Sequence, residues 1–273
     1  MTLNADVNRV LQNTSRTFFI PIIRLPARLQ ETVACAYLCM RAIDEIEDHP
    51  NLDRNSKAAL LRGLGPLLQA HIGLGNRHTG VAELDILFSP YRSILPEVTL
   101  RIGEWLSGTP AEIAPRIWDA TTAMAERMAY WVEKDWHIQT EADLNGYTFC
   151  VAGAVGLLIC DVWGWFDGTP IDRMNAVHFG RGLQTVNILR NRAEDTDRGV
   201  NFYPSGWTDQ NMFLYARKNL DLAKAGINSM PKSSFKFFVE IPLLLAEATL
   251  NAIQSGVGKL SREQVMQIVG QTG

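Results

Sequence analysis

One helix-compatible run constrains this chain more than any other. From Ala176 to Asp197, Ala176, Phe179, Leu183, Val186, Leu189 and Ala193 supply apolar positions at helical spacing. Gln184, Asn187, Asn191, Glu194 and Asp195 fall at steps of three and four and share one face. The apolar positions would seat the helix in a core; whether the polar stripe points inward or toward water is left open by residue type. A carboxylate pair beside side-chain amides offers oxygen donors alone, which suits Mg²⁺ better than zinc or copper.

Arg41 to Asp48 repeats the theme. It reads Arg-Ala-Ile-Asp-Glu-Ile-Glu-Asp and ends a helix-compatible run that begins near Pro26. Tyr37, Arg41, Asp44 and Asp48 stand at i, i+4, i+7 and i+11, again one stripe. Four of the five residues from Asp44 to Asp48 are acidic, and like charges four apart oppose a helix by a few tenths of a kcal/mol each. Divalent cations would offset that repulsion. Two such helices facing one another would hold Mg²⁺ ions that clamp a diphosphate, with Arg41 and Arg190 as further partners for phosphate oxygens.

The remaining sequence reads as helix almost throughout. The pattern predicts helices near 5–12, 27–48, 55–72, 81–106, 110–136, 140–166, 170–197, 208–227, 231–255 and 260–270, with no strand-like alternation, repeat or linker. One all-α domain over 1–273 is the economical architecture, and 273 residues with 47% hydrophobic and 20% charged content suffice for one core. A net charge of −3 without any basic block argues against a nucleic-acid partner. The N-terminus lacks a secretory pattern. The longest unbroken apolar and small run, Val151 to Cys160, is ten residues, short of the roughly 20 a spanning helix requires. The expectation is a cytoplasmic chain without an anchor, with Leu243 and Leu244 as a patch for a membrane surface or a second copy on a helix otherwise striped by Lys236, Glu240, Glu247, Asn251 and Gln254. Cys35, Cys39, Cys150 and Cys160 read as buried thiols, and the histidines have no zinc spacing.

Four motifs carry a resemblance. Ser15-Arg16-Thr17-Phe18, Tyr37-x-x-x-Arg41-x-x-Asp44-Glu-Ile-Glu47-Asp48, Tyr147 through Gly153 to Gly156, and Gln184-x-x-Asn187-x-x-Arg190 through Phe202-Tyr-Pro204 come in the order and spacing of the squalene and phytoene synthase family. The Asp-Glu-Ile-Glu-Asp form resembles the squalene branch. The resemblance implies an isoprenoid-synthase-like helical bundle with a central prenyl cavity, Mg²⁺, and head-to-head coupling of two farnesyl diphosphates, or a similar prenyl diphosphate, to presqualene diphosphate and, with NADPH, squalene. It further implies that Ser15, Arg16 and Phe18 line the diphosphate and first prenyl site, and that Tyr37 and Arg41 meet phosphate or the reacting carbons. Asp44 and Asp48 would bind Mg²⁺, with Glu47 helping or facing water; Asn191, Glu194 and Asp195 form the second metal motif. Gln184, Asn187 and Arg190 belong to the substrate side, Asn187 and Arg190 also being nearest to a cofactor role. Tyr147 lies beside the departing diphosphate, and Arg127-Met128 resembles a pocket-lining pair.

Two positions depart from the family pattern. Asn191 stands where most members have Asp, and Val200 where many have Arg; Arg198 on the same turn is the candidate replacement. These departures keep open a terpene cyclase or prenyl diphosphate hydrolase acting on one farnesyl diphosphate, and a non-catalytic prenyl diphosphate binder. Peripheral membrane contact is expected; oligomeric state is left open.

Overall fold

The structure, a computed structural model, describes residues 3–15, 17–72, 80–258 and 260–271, which are helical or irregular and contain no strand. The chain groups into two compact units, Met1–Asp135 and Trp136–Gly273.

In the first unit, α1 (Ala5–Thr14) starts at Asn4, whose side chain accepts from the Asp6 backbone N–H. A short α2 (Phe19–Ile23) leads into α3 (Ala27–Glu47). Leu29, Leu38, Ala42, Ile43 and Ile46 of α3 are wholly buried, so the acidic end of this helix is anchored by a continuous apolar face. Then come α4 (Arg54–Ile72), α5 (Gly80–Phe88), α6 (Glu97–Leu100), α7 (Ile102–Ser107) and α8 (Ala114–Glu133), with α8 packed along α4. The single helix expected over 81–106 is instead three pieces. Pro90 sits in a 3₁₀ turn, Ser89–Tyr91, and Pro96 immediately precedes α6; proline removes a donor and disfavours helix in the residue before it.

The second unit contains α9 (Glu141–Thr148), a π-helical turn (Phe149–Gly153), α10 (Ala154–Asp167), α11 (Arg173–Asp197), α12 (Asp209–Asn228), α13 (Ser234–Gln254) and α14 (Arg262–Gln271). Thr140 and Asp143 form a capping box at the start of α9. α11 is the hub, touching the π turn and α9, α10, α12 and α13. A Cβ on Gly156 would lie 2.2 Å from the Ala176 carbonyl oxygen, and one on Gly180 2.3 Å from that of Ala152. The missing side chains thus let α11 approach the π turn and α10, which offsets the helix propensity that glycine forgoes.

α13 continues through Pro242, and there the surface reading fails. Leu243 is 2% exposed and Leu244 half-buried, so both belong to the packed face rather than a surface patch. The stripe beside them is solvated only at Asn251 and Gln254; Lys236 and Glu240 are half-buried, and Glu247 accepts from Lys224 at 2.9 Å through both oxygens. The run Glu141–Asp167 and α13 are both long and apolar enough to cross a membrane, with 39% and 44% of their most apolar windows buried within the protein. Counting only unbroken apolar residues misses them, because helices interrupted by single small or polar residues still pass.

Candidate functional site

The last turns of α3 gather carboxylates. Asp44, Glu47 and Asp48 can present one oxygen each, all within 4.8 Å of one another. Glu47 is 4% exposed and so does not face water; Asp44 is half-buried, and Asp48, the C-cap, is exposed. Arg41 pairs with Asp44 and, at 2.5 Å, with Glu45, while its buried Nε has no hydrogen-bond partner. Burial first, then the charge of Asp48, push the Asp44 carboxyl up to about 7 against the pull of Arg41. Three hard carboxylate oxygen donors this close together are a donor set that fits Mg²⁺.

Beside this stripe, Ser15 is buried and its Oγ accepts from the Phe18 backbone N–H at 3.0 Å. The Phe18 ring centroid is 6.0 Å from that of Tyr37, whose hydroxyl donates to the Thr14 carbonyl at 3.3 Å. Ser15, Phe18 and Tyr37 are therefore brought together; Arg16 lies outside the described residues. Arg127 is exposed on α8 and only Met128 is buried.

The α11 stripe resolves into unequal members. Gln184, Asn187 and Asn191 are half-buried, Arg190 and Glu194 exposed, and Asp195 buried at 7%. Asn187 donates to Gln184 Oε1 at 3.5 Å, and Arg190 Nε to Asn191 Oδ1 at 3.1 Å. Asp195 accepts from Arg198 at 2.5 Å. With asparagine at 191, the stripe itself keeps two carboxylates, Glu194 and Asp195, and among the described residues a close triplet of acidic oxygens forms on α3 alone. Of the apolar positions expected to hold the helix, Ala176, Phe179, Val186 and Leu189 are buried, Leu183 is half-buried, and Ala193 is exposed.

Tyr147, in the last turn of α9, is 3% exposed and stacks on Phe202, with ring centroids 4.6 Å apart and planes at 20°. The same unit holds a cavity of about 420 Å³ lined by Gly156, Ile159, Ala176, Phe179, Ile227 and Val239, among others. Ala176 precedes Asn187 by three helical turns, so the cavity and the polar stripe share a side of α11. Sequence reasoning had named Gly156 and Phe179 singly; the cavity itself needs α10, α11, α12 and α13 packed together.

A family model described as squalene/phytoene synthase matches residues 11–214. The chain belongs to the squalene/phytoene synthase family. The match includes all four motifs and runs through both compact units. Among curated relatives, the squalene synthase of Schizosaccharomyces pombe is 27% identical over 96% of this chain and 63% of its own length. Botryococcus squalene synthase of Botryococcus braunii is 29% identical over 68% and 38%, and the human squalene synthase 26% over 79% and 49%. The chain thus spans less than two thirds of these relatives. Among solved structures, TcSQS with the ligand E5700 superposes with a TM-score of 0.76 at 22% identity, covering 98% of this chain and 85% of that one. A dehydrosqualene synthase in complex with ligand gives 0.62 at 16%, covering 98% and 94%. The all-α squalene synthase fold follows from these superpositions.

Proposed function

We propose that this member of the family is a Mg²⁺-dependent prenyltransferase that joins two farnesyl diphosphates head to head, giving presqualene diphosphate and, with NADPH, squalene. The observation that carries the reading is the Asp44, Glu47 and Asp48 cluster with Arg41 beside it, in a chain whose curated relatives are squalene synthases. Asp44 and Asp48, joined by Glu47, would hold Mg²⁺, as would Asn191, Glu194 and Asp195. When bound, Mg²⁺ neutralises the charge that develops on a departing diphosphate.

The side chains have the remaining work. Arg41 and Arg190 supply guanidinium donors suited to phosphate oxygens, and Ser15, Arg16, Phe18, Tyr37, Gln184, Asn187 and Arg198 complete the substrate-binding set. Tyr147 orients the departing diphosphate or moves a proton there. The apolar cavity of the second unit receives an isoprenoid tail and keeps water from the allylic cation. A product this apolar partitions into a bilayer, so we infer a cytoplasmic protein with peripheral membrane contact.

Asn191 and Val200 favour a second reading, in which one farnesyl diphosphate is ionised and released as a C15 alcohol or cyclic hydrocarbon. Diphosphate release from farnesyl diphosphate, measured with and without Mg²⁺ and in the Asp48→Asn variant, tests what both readings share. Release that needs Mg²⁺ and falls at least about tenfold in the variant supports it; metal-independent release, or none, contradicts it.

A further inference from the structure

The contact between Tyr147 and Phe202 goes beyond these assignments. Both rings are buried, and they are stacked rather than edge-on. One residue beyond Tyr147, after Thr148, the helix passes into the π turn Phe149–Gly153. A π turn departs from regular helical register, so the orientation of a ring at its entrance depends on what packs against it from another segment.

Phe202 comes from a segment held on both sides. Upstream, the Val200 N–H donates to the Asp195 carbonyl at 2.9 Å. Downstream, the Tyr203 hydroxyl donates to Asp209 at 2.8 Å while the Arg192 guanidinium lies 4.6 Å over the Tyr203 ring. Arg192 also pairs with Asp209. The Ser205 N–H then donates to the Gln139 carbonyl at 2.9 Å, just before the N-cap of α9. The ring between these anchors has little freedom. Being phenylalanine, it presents a flat apolar face to the Tyr147 ring.

We infer that Phe202 is a positioning residue that holds the Tyr147 ring in one orientation and so sets where its hydroxyl meets the departing diphosphate. This rests on the role of Tyr147 proposed above. It makes the chain after Asp195 part of the catalytic geometry: the segment that closes the second acidic motif also aligns the tyrosine.

The test uses the full chain as wild type, Phe202→Leu, Phe202→Trp, Tyr147→Phe and Phe88→Leu, the last truncating a buried phenylalanine of the first unit. Farnesyl diphosphate consumption gives kcat and KM. Incorporated 3-fluorotyrosine, with the Tyr147 resonance assigned by its loss in Tyr147→Phe, reports ring placement by ¹⁹F NMR without any turnover. Phe202→Leu is expected to shift that resonance and lower kcat by about 10- to 100-fold, the penalty of a small misplacement, with KM changed less than about twofold. Phe202→Trp, which keeps a stacking face, should retain most of kcat, and Phe88→Leu should leave kcat near wild type. An unmoved Tyr147 resonance in Phe202→Leu, or an equal loss of kcat in Phe88→Leu, overturns the inference. If the wild type consumes no farnesyl diphosphate, the functional reading fails separately, and the resonance still decides whether Phe202 places Tyr147.

Discussion

Asp195 and Arg198 form an ion pair at 2.5 Å where α11 ends, with the carboxylate almost fully buried and the guanidinium partly exposed. Reading the sequence by resemblance assigned Arg198 to phosphate, as a stand-in for the arginine absent at Val200. In the structure its guanidinium already serves a protein carboxylate, so it would meet a diphosphate only while shared with Asp195 or after metal relieves that charge.

Arg198→Gln should therefore act on stability as well as turnover. Leaving a buried carboxylate without its cation costs about 1–3 kcal/mol, and added Mg²⁺ should restore part of the loss by supplying positive charge to Asp195. Urea unfolding with and without Mg²⁺ reads this. Equal destabilisation in both conditions would show that Asp195 takes no metal.

Asp44 predicts a pH dependence of opposite sign to that of an ordinary paired carboxylate. Its carboxyl is pushed up to about 7 by burial and then by Asp48, above the roughly 3.9 of an unfolded aspartate. The folded chain therefore binds the extra proton between these values. The contribution of Asp44 to stability is best below the unfolded value and declines as pH rises through about 7. In metal-free protein, Asp44→Asn should raise Tm at pH 8 by about 2–4 °C and flatten the fall in Tm between pH 5 and 8. Mg²⁺ should raise the wild-type Tm at pH 8 more than that of the variant. A variant less stable than wild type at pH 8 would contradict the electrostatic account.

Glycines in α10 separate close packing from mere flexibility. At Gly156 a methyl would collide with the Ala176 carbonyl, whereas at Gly164 no atom lies within 4 Å of the added Cβ. Gly156→Ala should destabilise by about 1–3 kcal/mol or more through overpacking. Gly164→Ala should stabilise by about 0.5–1 kcal/mol through helix propensity. Chemical denaturation of the two variants checks the contrast, and a neutral Gly156→Ala would mean that α10 and α11 tolerate separation.

Asn191→Asp should add a third carboxylate to the stripe that holds Glu194 and Asp195. Its Mg²⁺ activation constant is expected to fall several-fold, and any C15 product to decline relative to C30 product. Unchanged metal dependence would remove Asn191 from the metal set.

The long helices α3 and α11 were legible because their apolar periods are sustained over five or more turns, and their acidic stripes stand out against that background. The pieces between Phe88 and Ile102 were not, because helical periodicity persists across Pro90 and Pro96 while the backbone cannot. The burial of Glu47 and of Leu243 followed from which neighbours pack there, which one-dimensional spacing does not contain. The same holds for the Asp195–Arg198 pair and the Tyr147–Phe202 stack. Each residue was visible as a motif member, but the partnership depends on the path of the connection after α11. The four thiols, read as buried core residues, are buried.

The most direct test of head-to-head coupling is incubation of the purified chain with farnesyl diphosphate and Mg²⁺, with and without NADPH, followed by mass analysis of the hydrocarbon and diphosphate fractions. The account predicts a C30 diphosphate without NADPH and its conversion to a C30 hydrocarbon with it. Exclusive formation of C15 alcohol or cyclic C15 hydrocarbon would contradict coupling and leave single-substrate ionisation, with Asn191 and Val200 as its structural cause.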